Sequence, residues 1–158
     1  MFDPLKVPQR YLPKQLSKKD LKIQKANLRK SRKLYKQGVF FARPKVASFK
    51  SKKSSHLNRA RTLYGVQKIG STPELSKKTH CSRKALEKII SKGRGAYYSS
   101  GSRPNQTAES WGIARLASSI TGGNASVVDY HILVEGCSPN SKALKLARKT
   151  RKTFVQRK

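Results

Sequence analysis

The chain has 158 residues, 37 lysines and arginines against 7 aspartates and glutamates, and a formal net charge of +30. Its length suits one ordinary domain, but its hydrophobic fraction of 35% is below the roughly 45–50% of globular chains. No apolar run approaches the roughly 20 residues of a membrane-spanning helix and no signal-peptide pattern opens the chain, so we expect neither an integral membrane protein nor a signal-directed secreted one.

The charge is unevenly distributed along the chain. Residues 1–79 hold 22 basic and 3 acidic side chains, residues 95–140 hold 2 and 3, and residues 141–158 hold 8 and none. A segment as basic as the first repels itself and has little apolar surface to offset that repulsion. We therefore expect an extended or fluctuating arm that becomes ordered against nucleic acid, an anionic membrane face or acidic protein surfaces.

The first elements follow from prolines and caps. Three prolines within residues 1–16 predict an extended anchor, because each lacks a backbone donor and restricts the residue before it. A helix is predicted from about Leu16 to Gln37, with Ser17 as its cap and Gly38 as its stop. Its apolar stripe is formed by a seven-residue spacing of Leu21, Leu28 and Tyr35.

Further elements are predicted in chain order. Val39–Phe41 is predicted as a short strand or an anchor, and Thr72 followed by Pro73 as a helix start. Ser82 can cap a helix that Gly93 and Gly95 end. The remaining predictions are a short helix within residues 56–70, a helix at 83–92, a strand at 96–98, a turn-rich loop at 99–106, a helix at 107–121, a strand at 126–134 and a basic helix at 141–153.

These elements predict an α+β fold. A compact helix and strand module occupies about residues 77–140, between a basic extended or helical arm at 1–76 and a basic C-terminal helical tail at 141–158. Cys81 and Cys137 fit a reducing compartment, with one bridge between them as the open alternative, and they do not have the spacing of a zinc site. We expect no bound metal and no cofactor.

One pair in the module has the residue types of acid–base chemistry. Asp129 and His131 lie two apart on the predicted strand and so would share a face. A carboxylate beside a histidine can orient it for catalysis, but the same pair can simply pin a strand by a hydrogen bond. The module has few other acids, which argues against a two-metal nuclease. We therefore predict a protein that is not an enzyme and has no small-molecule substrate.

The basic segments indicate a class of partner. Cations interleaved with aromatic residues suit phosphate contacts with base stacking, but also acidic protein surfaces or anionic lipid. The predicted partner or phosphate contacts are Arg29, Lys30, Arg32, Lys33, Lys52, Lys53, Arg148, Lys149, Arg151 and Lys152. The predicted apolar anchors are Tyr11, Phe40, Phe41 and Phe49.

Part of the module resembles a known family. The segment Gly95–Thr107, reading GAYYSSGSRPNQT, precedes a Ser-Trp-Gly run and the segment Val128–Leu133, reading VDYHIL. Together these resemble the core of a small uncharacterised family of basic proteins from large DNA viruses of algae and amoebae. The resemblance covers about a third of the chain, and its motif residues are Tyr97, Tyr98, Arg103, Asn105, Trp111, Arg115, Asp129 and His131.

This resemblance implies a context rather than a reaction. We expect a structural virion component, a minor capsid protein on the inner side of a large icosahedral shell, made in the host cytoplasm. Its basic arms would tie neighbouring capsid proteins together, with DNA or an anionic inner membrane surface as further partners. The alternative is a nucleic-acid-binding protein that condenses a viral genome or is of ribosomal type.

Overall fold

The computed structural model describes residues 5–156, and these residues form helices without a β-strand. The predicted α+β fold class is therefore wrong, since the chain is 63% helical. A short 3₁₀ helix at Gln9–Tyr11 precedes the α-helices, which are α1 Lys18–Lys36, α2 Ser55–Tyr64, α3 Pro73–Thr79, α4 Arg83–Ser99, α5 Ala108–Ile120, α6 Asn124–Val128, α7 Tyr130–Gly136 and α8 Lys142–Gln156.

The predicted strand at 126–134 is instead made of α6 and α7. Its buried residues are Ser126, Asp129, Ile132 and Leu133, a spacing of three, three and one that fits a helical period and not the alternation of a strand. The β-branched and aromatic residues here favour a strand locally. Burial against the rest of the chain overrides that preference.

The predicted strand at 96–98 is also helical. It forms the end of α4, which continues through both glycines that were expected to stop it. A Cβ at Gly93 would lie 2.5 Å from the Cα of Gly112 in α5, and a Cβ at Gly112 would lie 2.6 Å from the carbonyl oxygen of Ile90. Gly93 therefore serves close helix packing rather than helix termination.

Several local predictions are confirmed. Ser17 Oγ accepts a hydrogen bond from the Asp20 amide at 3.1 Å, as an N-cap should. Gly38 has a φ of +78° just after α1, and the amide of Val39 bonds the carbonyl oxygen of Leu34 at 2.8 Å. This C-terminal capping pattern reverses the chain after α1. Thr72 also caps α3 as expected, and its side chain accepts from the amide three residues on.

The chain divides into two compact units. The first contains residues 1–52 and 94–111, with 18 basic and 3 acidic side chains. Its buried apolar residues are Tyr11, Leu28, Val46 and Tyr97, and they are accompanied by buried polar residues, namely Asp20, Gln24, Ser31, Arg43 and Ser102. Residues 5–52 thus take part in a folded unit, although this segment was expected to need a partner to become ordered.

The second unit contains residues 53–93 and 112–158, with 19 basic and 4 acidic side chains. Its core is continuous and apolar, with Leu75, Leu86, Ile89, Leu116 and Leu133 all fully buried. A disulfide joins Cys81 to Cys137, so the bridged alternative is the one formed in this structure. The proposed domain division at residues 76 and 140 stays a prediction about which segments fold independently.

Across the described part of the chain, the helices are too short or too polar to cross a bilayer.

Candidate nucleic-acid interface

A ridge of cations runs along the outer face of α1. It consists of six side chains spaced by four, three, four, four and three residues, namely Lys18, Lys22, Lys25, Arg29, Lys33 and Lys36. At 3.6 residues per turn they fall within an arc of about 80° and extend over about 27 Å. The buried residues of α1 lie on its opposite side. Five of the six are exposed and Lys25 is half-buried.

The ridge works against the stability of its own helix. Like charges four residues apart repel by a few tenths of a kcal/mol for each pair. The burial of the opposite face requires none of these cations. The repulsion is therefore a cost to folding, and an external anion would relieve it.

The acidic groups in the described part of this unit are already engaged. Ser48 donates from its amide to Asp20 Oδ2 at 2.8 Å, and its hydroxyl donates to the same oxygen. These hydrogen bonds from Ser48, with a further contribution from Ser17, hold the pKa of Asp20 below its usual value. Glu109 pairs with Arg94 at 2.7 Å. Neither carboxylate is thus held by a cation of the ridge.

An aromatic cluster lies where the chain reverses after α1. The Phe40 ring is 6.1 Å from the Tyr35 ring and 5.1 Å from the Tyr98 ring, measured between centroids. Phe40 is 67% exposed and Tyr35 37% exposed, while Tyr98 is half-buried. We call these three residues the aromatic platform. Its exposure is unusual, since a large apolar ring gains most by burial.

A buried arginine supports the platform from inside the unit. The Arg43 guanidinium donates to Ser31 Oγ at 2.8 Å, to the Tyr97 carbonyl oxygen at 2.7 Å and to Ser102 Oγ at 2.8 Å. It also stacks on the Tyr97 ring, and Tyr97 packs edge-on against Tyr98 with centroids 5.0 Å apart. Burial lowers the pKa of Arg43, because its charge is removed from water without a carboxylate among these partners.

The family-motif residues Asn105 and Trp111 have structural contacts in the same unit. The Asn105 side chain accepts from the Val46 amide at 2.7 Å and donates to the carbonyl oxygens of Val46 at 3.1 Å and Phe49 at 2.7 Å. Its φ of +64° is one that asparagine tolerates better than most residues. Trp111 packs edge-on against Tyr11. Asn105 therefore pins the segment that follows Arg43.

Asp129 and His131 do not lie on a shared face. Asp129 is fully buried, and Arg115 grips it with two hydrogen bonds of 2.9 and 2.7 Å while Ser119 Oγ donates at 3.0 Å. His131 is exposed, with its Nε2 3.3 Å from the Lys92 ammonium. The strand expected to align the two residues is helical, so the expected geometry for acid–base work does not form. Asp129 instead holds α5 to the α6–α7 junction.

The predicted contacts fall into two groups. Arg29, Lys30 and Lys33 are exposed on α1, whereas Arg32 is half-buried and donates to the carbonyl oxygens of Lys6 and Ser100. The other predicted contacts lie elsewhere and are exposed, namely Lys52 and Lys53 before α2, and Arg148, Lys149, Arg151 and Lys152 on α8. The family-motif residue Arg103 is also exposed and lies in the loop of residues 100–107.

Three of the α8 cations line an open cleft of about 510 Å³ in the second unit. Arg148, Arg151 and Lys152 share this cleft with Tyr130 and Val155. The Arg151 guanidinium lies over the Tyr130 ring at 4.6 Å. The cleft lining contains no carboxylate, so it can take an anionic group.

The predicted anchors differ in their exposure. Phe40 is open to solvent, whereas Phe41 and Phe49 are half-buried and Tyr11 is 6% exposed. The Lys30 ammonium lies 4.5 Å from the Phe41 ring centroid. Of these four anchors, only Phe40 thus has most of its ring exposed to solvent.

The contacts predicted from the sequence did not include Arg43 or four of the six ridge cations, namely Lys18, Lys22, Lys25 and Lys36. The ridge has a signal that could have found it, the spacing of basic residues by three and four along a predicted helix. Arg43 has no such signal, because nothing local to it distinguishes a buried arginine from its exposed neighbours. In the described chain, no three histidine, cysteine or acidic side chains are placed to hold a metal ion.

A family model matches residues 8–132, most of the chain, and the chain belongs to that family, which is described as a family of unknown function (DUF5824). The match includes α1, the aromatic platform and the Asn105 loop. No curated protein and no solved structure matches the chain. The resemblance to proteins of large DNA viruses stays a prediction.

Proposed function

We propose that this member of the DUF5824 family is a nucleic-acid-binding protein whose α1 ridge contacts phosphates. The observation that supports this proposal is the ridge itself. Its six aligned cations repel one another, and the packing of α1 needs none of them. Regularly spaced cations along about 27 Å of a rigid helix fit a regularly spaced polyanion. No enzymatic activity is part of this proposal.

The test is the salt dependence of binding to labelled oligonucleotides, followed by fluorescence anisotropy. The ridge variant carries Lys22→Gln, Arg29→Gln, Lys33→Gln and Lys36→Gln. Each lost phosphate contact removes about 0.7 to 0.9 from the slope of log affinity against log salt. We therefore expect a slope that is shallower by about 3 to 4, and much weaker binding at low salt.

A matched control removes the same number of charges from the second unit. Lys77, Lys78, Lys84 and Lys88 are exposed on α3 and α4, and their replacement by glutamine lowers the net charge equally. We expect this variant to keep nearly the wild-type slope. Equal losses in the two variants would mean attraction by net charge alone, and absence of saturable binding by the wild type would refute the proposal.

A structural role in a virus particle is the second candidate. It is supported by exposed apolar side chains that could dock on a neighbouring protein, namely Phe40, Val128 and Val155, exposed by 67%, 64% and 67%. The prediction of a virion role also relied on a basic arm that has no structure of its own. The helix α1 lies in that arm and therefore weakens the premise. Stable, stoichiometric binding to a capsid protein at high salt, without oligonucleotide binding, would favour this candidate.

A further inference from the structure

We infer that the aromatic platform, Tyr35, Phe40 and Tyr98, selects nucleic acid with unpaired bases, so that single strands are the preferred ligand. This inference rests on the proposed function and adds a ligand class to it. The ridge alone has no feature that recognises unpaired bases, since both single strands and duplexes offer phosphates to it. The platform would distinguish them, because aromatic side chains stack only on bases that are not already stacked in a duplex.

The rings are placed and held before any ligand arrives. The capping pattern at Gly38 turns the chain so that Phe40 comes back over Tyr35, which lies in the last turn of α1. Tyr98 projects from the last turn of α4. A side chain fixed in this way loses little conformational entropy on binding, so more of the stacking free energy appears as affinity.

The support continues into the buried interior of the unit. Tyr98 packs on Tyr97, which is 1% exposed, and Tyr97 in turn lies under the Arg43 guanidinium. The amide of Arg43 also donates to the Tyr97 hydroxyl at 3.0 Å. These three interactions thus fix the Tyr97 ring, on which Tyr98 of the platform packs. Phe40 itself is two-thirds exposed and has no such cover.

The platform adjoins the C-terminal end of the ridge. Tyr35 is next to the ridge cation Lys36 in the last turn of α1, about 100° around the helix from it and on the side of the buried Leu28. A strand whose phosphates follow the ridge would therefore have to turn around the C-terminal end of α1, beyond Lys36, to bring its bases to the rings. Phosphate contacts beside aromatic rings are the general arrangement by which proteins bind single strands without reading their sequence.

The test compares a single strand with its own duplex, at equal length and salt, for the full chain. We expect the single strand to bind more tightly. Phe40→Ala should weaken single-strand binding by about 5- to 150-fold, the range measured for loss of one stacking ring, and should leave duplex binding unchanged. Phe40→Tyr should restore single-strand binding, since it keeps the ring.

Two further readouts separate this inference from the proposed function. Phe40→Ala should change affinity without changing the salt slope, whereas the ridge variant changes the slope. Val134→Ala, at a side chain that is 48% exposed and lies in the second unit, should change neither. Equal binding of single strand and duplex with a steep salt slope would overturn the base-stacking inference and leave the proposed function standing. If the wild type bound neither the single strand nor the duplex, the base-stacking inference and the proposed function would both be overturned.

Discussion

The guanidinium carbon of Arg43 lies 3.8 Å from the centroid of the Tyr97 ring, and both side chains are buried. The positive charge is therefore held by an aromatic face and by neutral oxygen atoms rather than by a carboxylate. Arginine suits such a place because its flat, weakly hydrated cation stacks and donates several hydrogen bonds at once. This contact connects the polar interior of the first unit to the aromatic platform on its surface.

Replacing Arg43 should destabilise the first unit. Arg43→Ala leaves Ser31, Ser102 and the Tyr97 carbonyl without their donor, and we expect a loss of about 3 kcal/mol or more in the free energy of unfolding. Arg43→Lys should also destabilise, since one ammonium cannot reach all three acceptors. Urea denaturation measures both. Arg103→Ala, at an exposed arginine of the same unit in the loop between α4 and α5, should stay within about 0.5 kcal/mol of wild type, and equal effects at Arg43 and Arg103 would contradict the assignment.

The Asp20 carboxylate should make stability sensitive to acid. Its pKa is lowered in the folded state, chiefly by the Ser48 hydroxyl and amide, from the ordinary 3.8. The folded state therefore binds this proton less readily than the unfolded state. The resulting stabilisation is present above about pH 4 and is lost as the pH falls through the lowered pKa. Asp20→Asn should lose less stability than wild type as the pH falls below about 4, and parallel wild-type and variant curves would count against these hydrogen bonds from Ser48.

Two glycines of α4 should respond to alanine in opposite directions. Gly93 faces Gly112 with no room for a Cβ, whereas nothing lies within 4 Å of a Cβ at Gly95. Gly95→Ala should stabilise the protein by about 0.5 to 1 kcal/mol through helix propensity. Gly93→Ala should destabilise it by about 1 to 3 kcal/mol, because the helices must separate. Thermal unfolding of the two variants compares them directly, and the same sign for both would show that the crossing is looser than described.

The ion pair between the buried Asp129 and the half-buried Arg115 should be structural. Asp129→Ala leaves Arg115 without its bidentate partner, and we expect a loss of about 3 to 5 kcal/mol in the free energy of unfolding. Glu135→Ala removes an exposed carboxylate from α7 and should change stability by less than about 0.5 kcal/mol. Thermal denaturation distinguishes them. A stable Asp129→Ala variant would mean that the ion pair does not hold the α5 and α6–α7 junction together.

The disulfide should be detectable and stabilising. Cys81 and Cys137 are 56 residues apart, a separation at which loop-closure entropy stabilises a fold by about 4 kcal/mol. Mass spectrometry without reductant should show a mass about 2 Da below that of the reduced chain. Cys81→Ser with Cys137→Ser should melt at a lower temperature, and reductant should lower the melting temperature of wild type but not of that variant. Two free thiols in the purified protein would refute the bridge.

Helix ends were the features best predicted from sequence. Ser17, Gly38 and Thr72 act through hydrogen bonds or backbone angles within a few residues of themselves, so their neighbours in sequence are enough to predict them. A contact role for Phe40 and for the cations Arg29 and Lys33 was inferred from residue type, and that role stays a prediction. Their exposure in the structure agrees with that expectation, while their partner stays a matter for the binding experiments.

Composition and short-range hydrogen bonds need no distant partner, so the large positive charge, the caps of α1 and α3, and the surface chemistry of α1 could be predicted from the chain alone. The helical state of 126–134, the position of Gly93 at a helix crossing and the role of Asp129 as a buried ion-pair partner could not be predicted in this way. Those outcomes depend on residues far along the chain. The physical reason is that packing and burial are summed over the whole fold, and they outweigh local preferences of a few tenths of a kcal/mol.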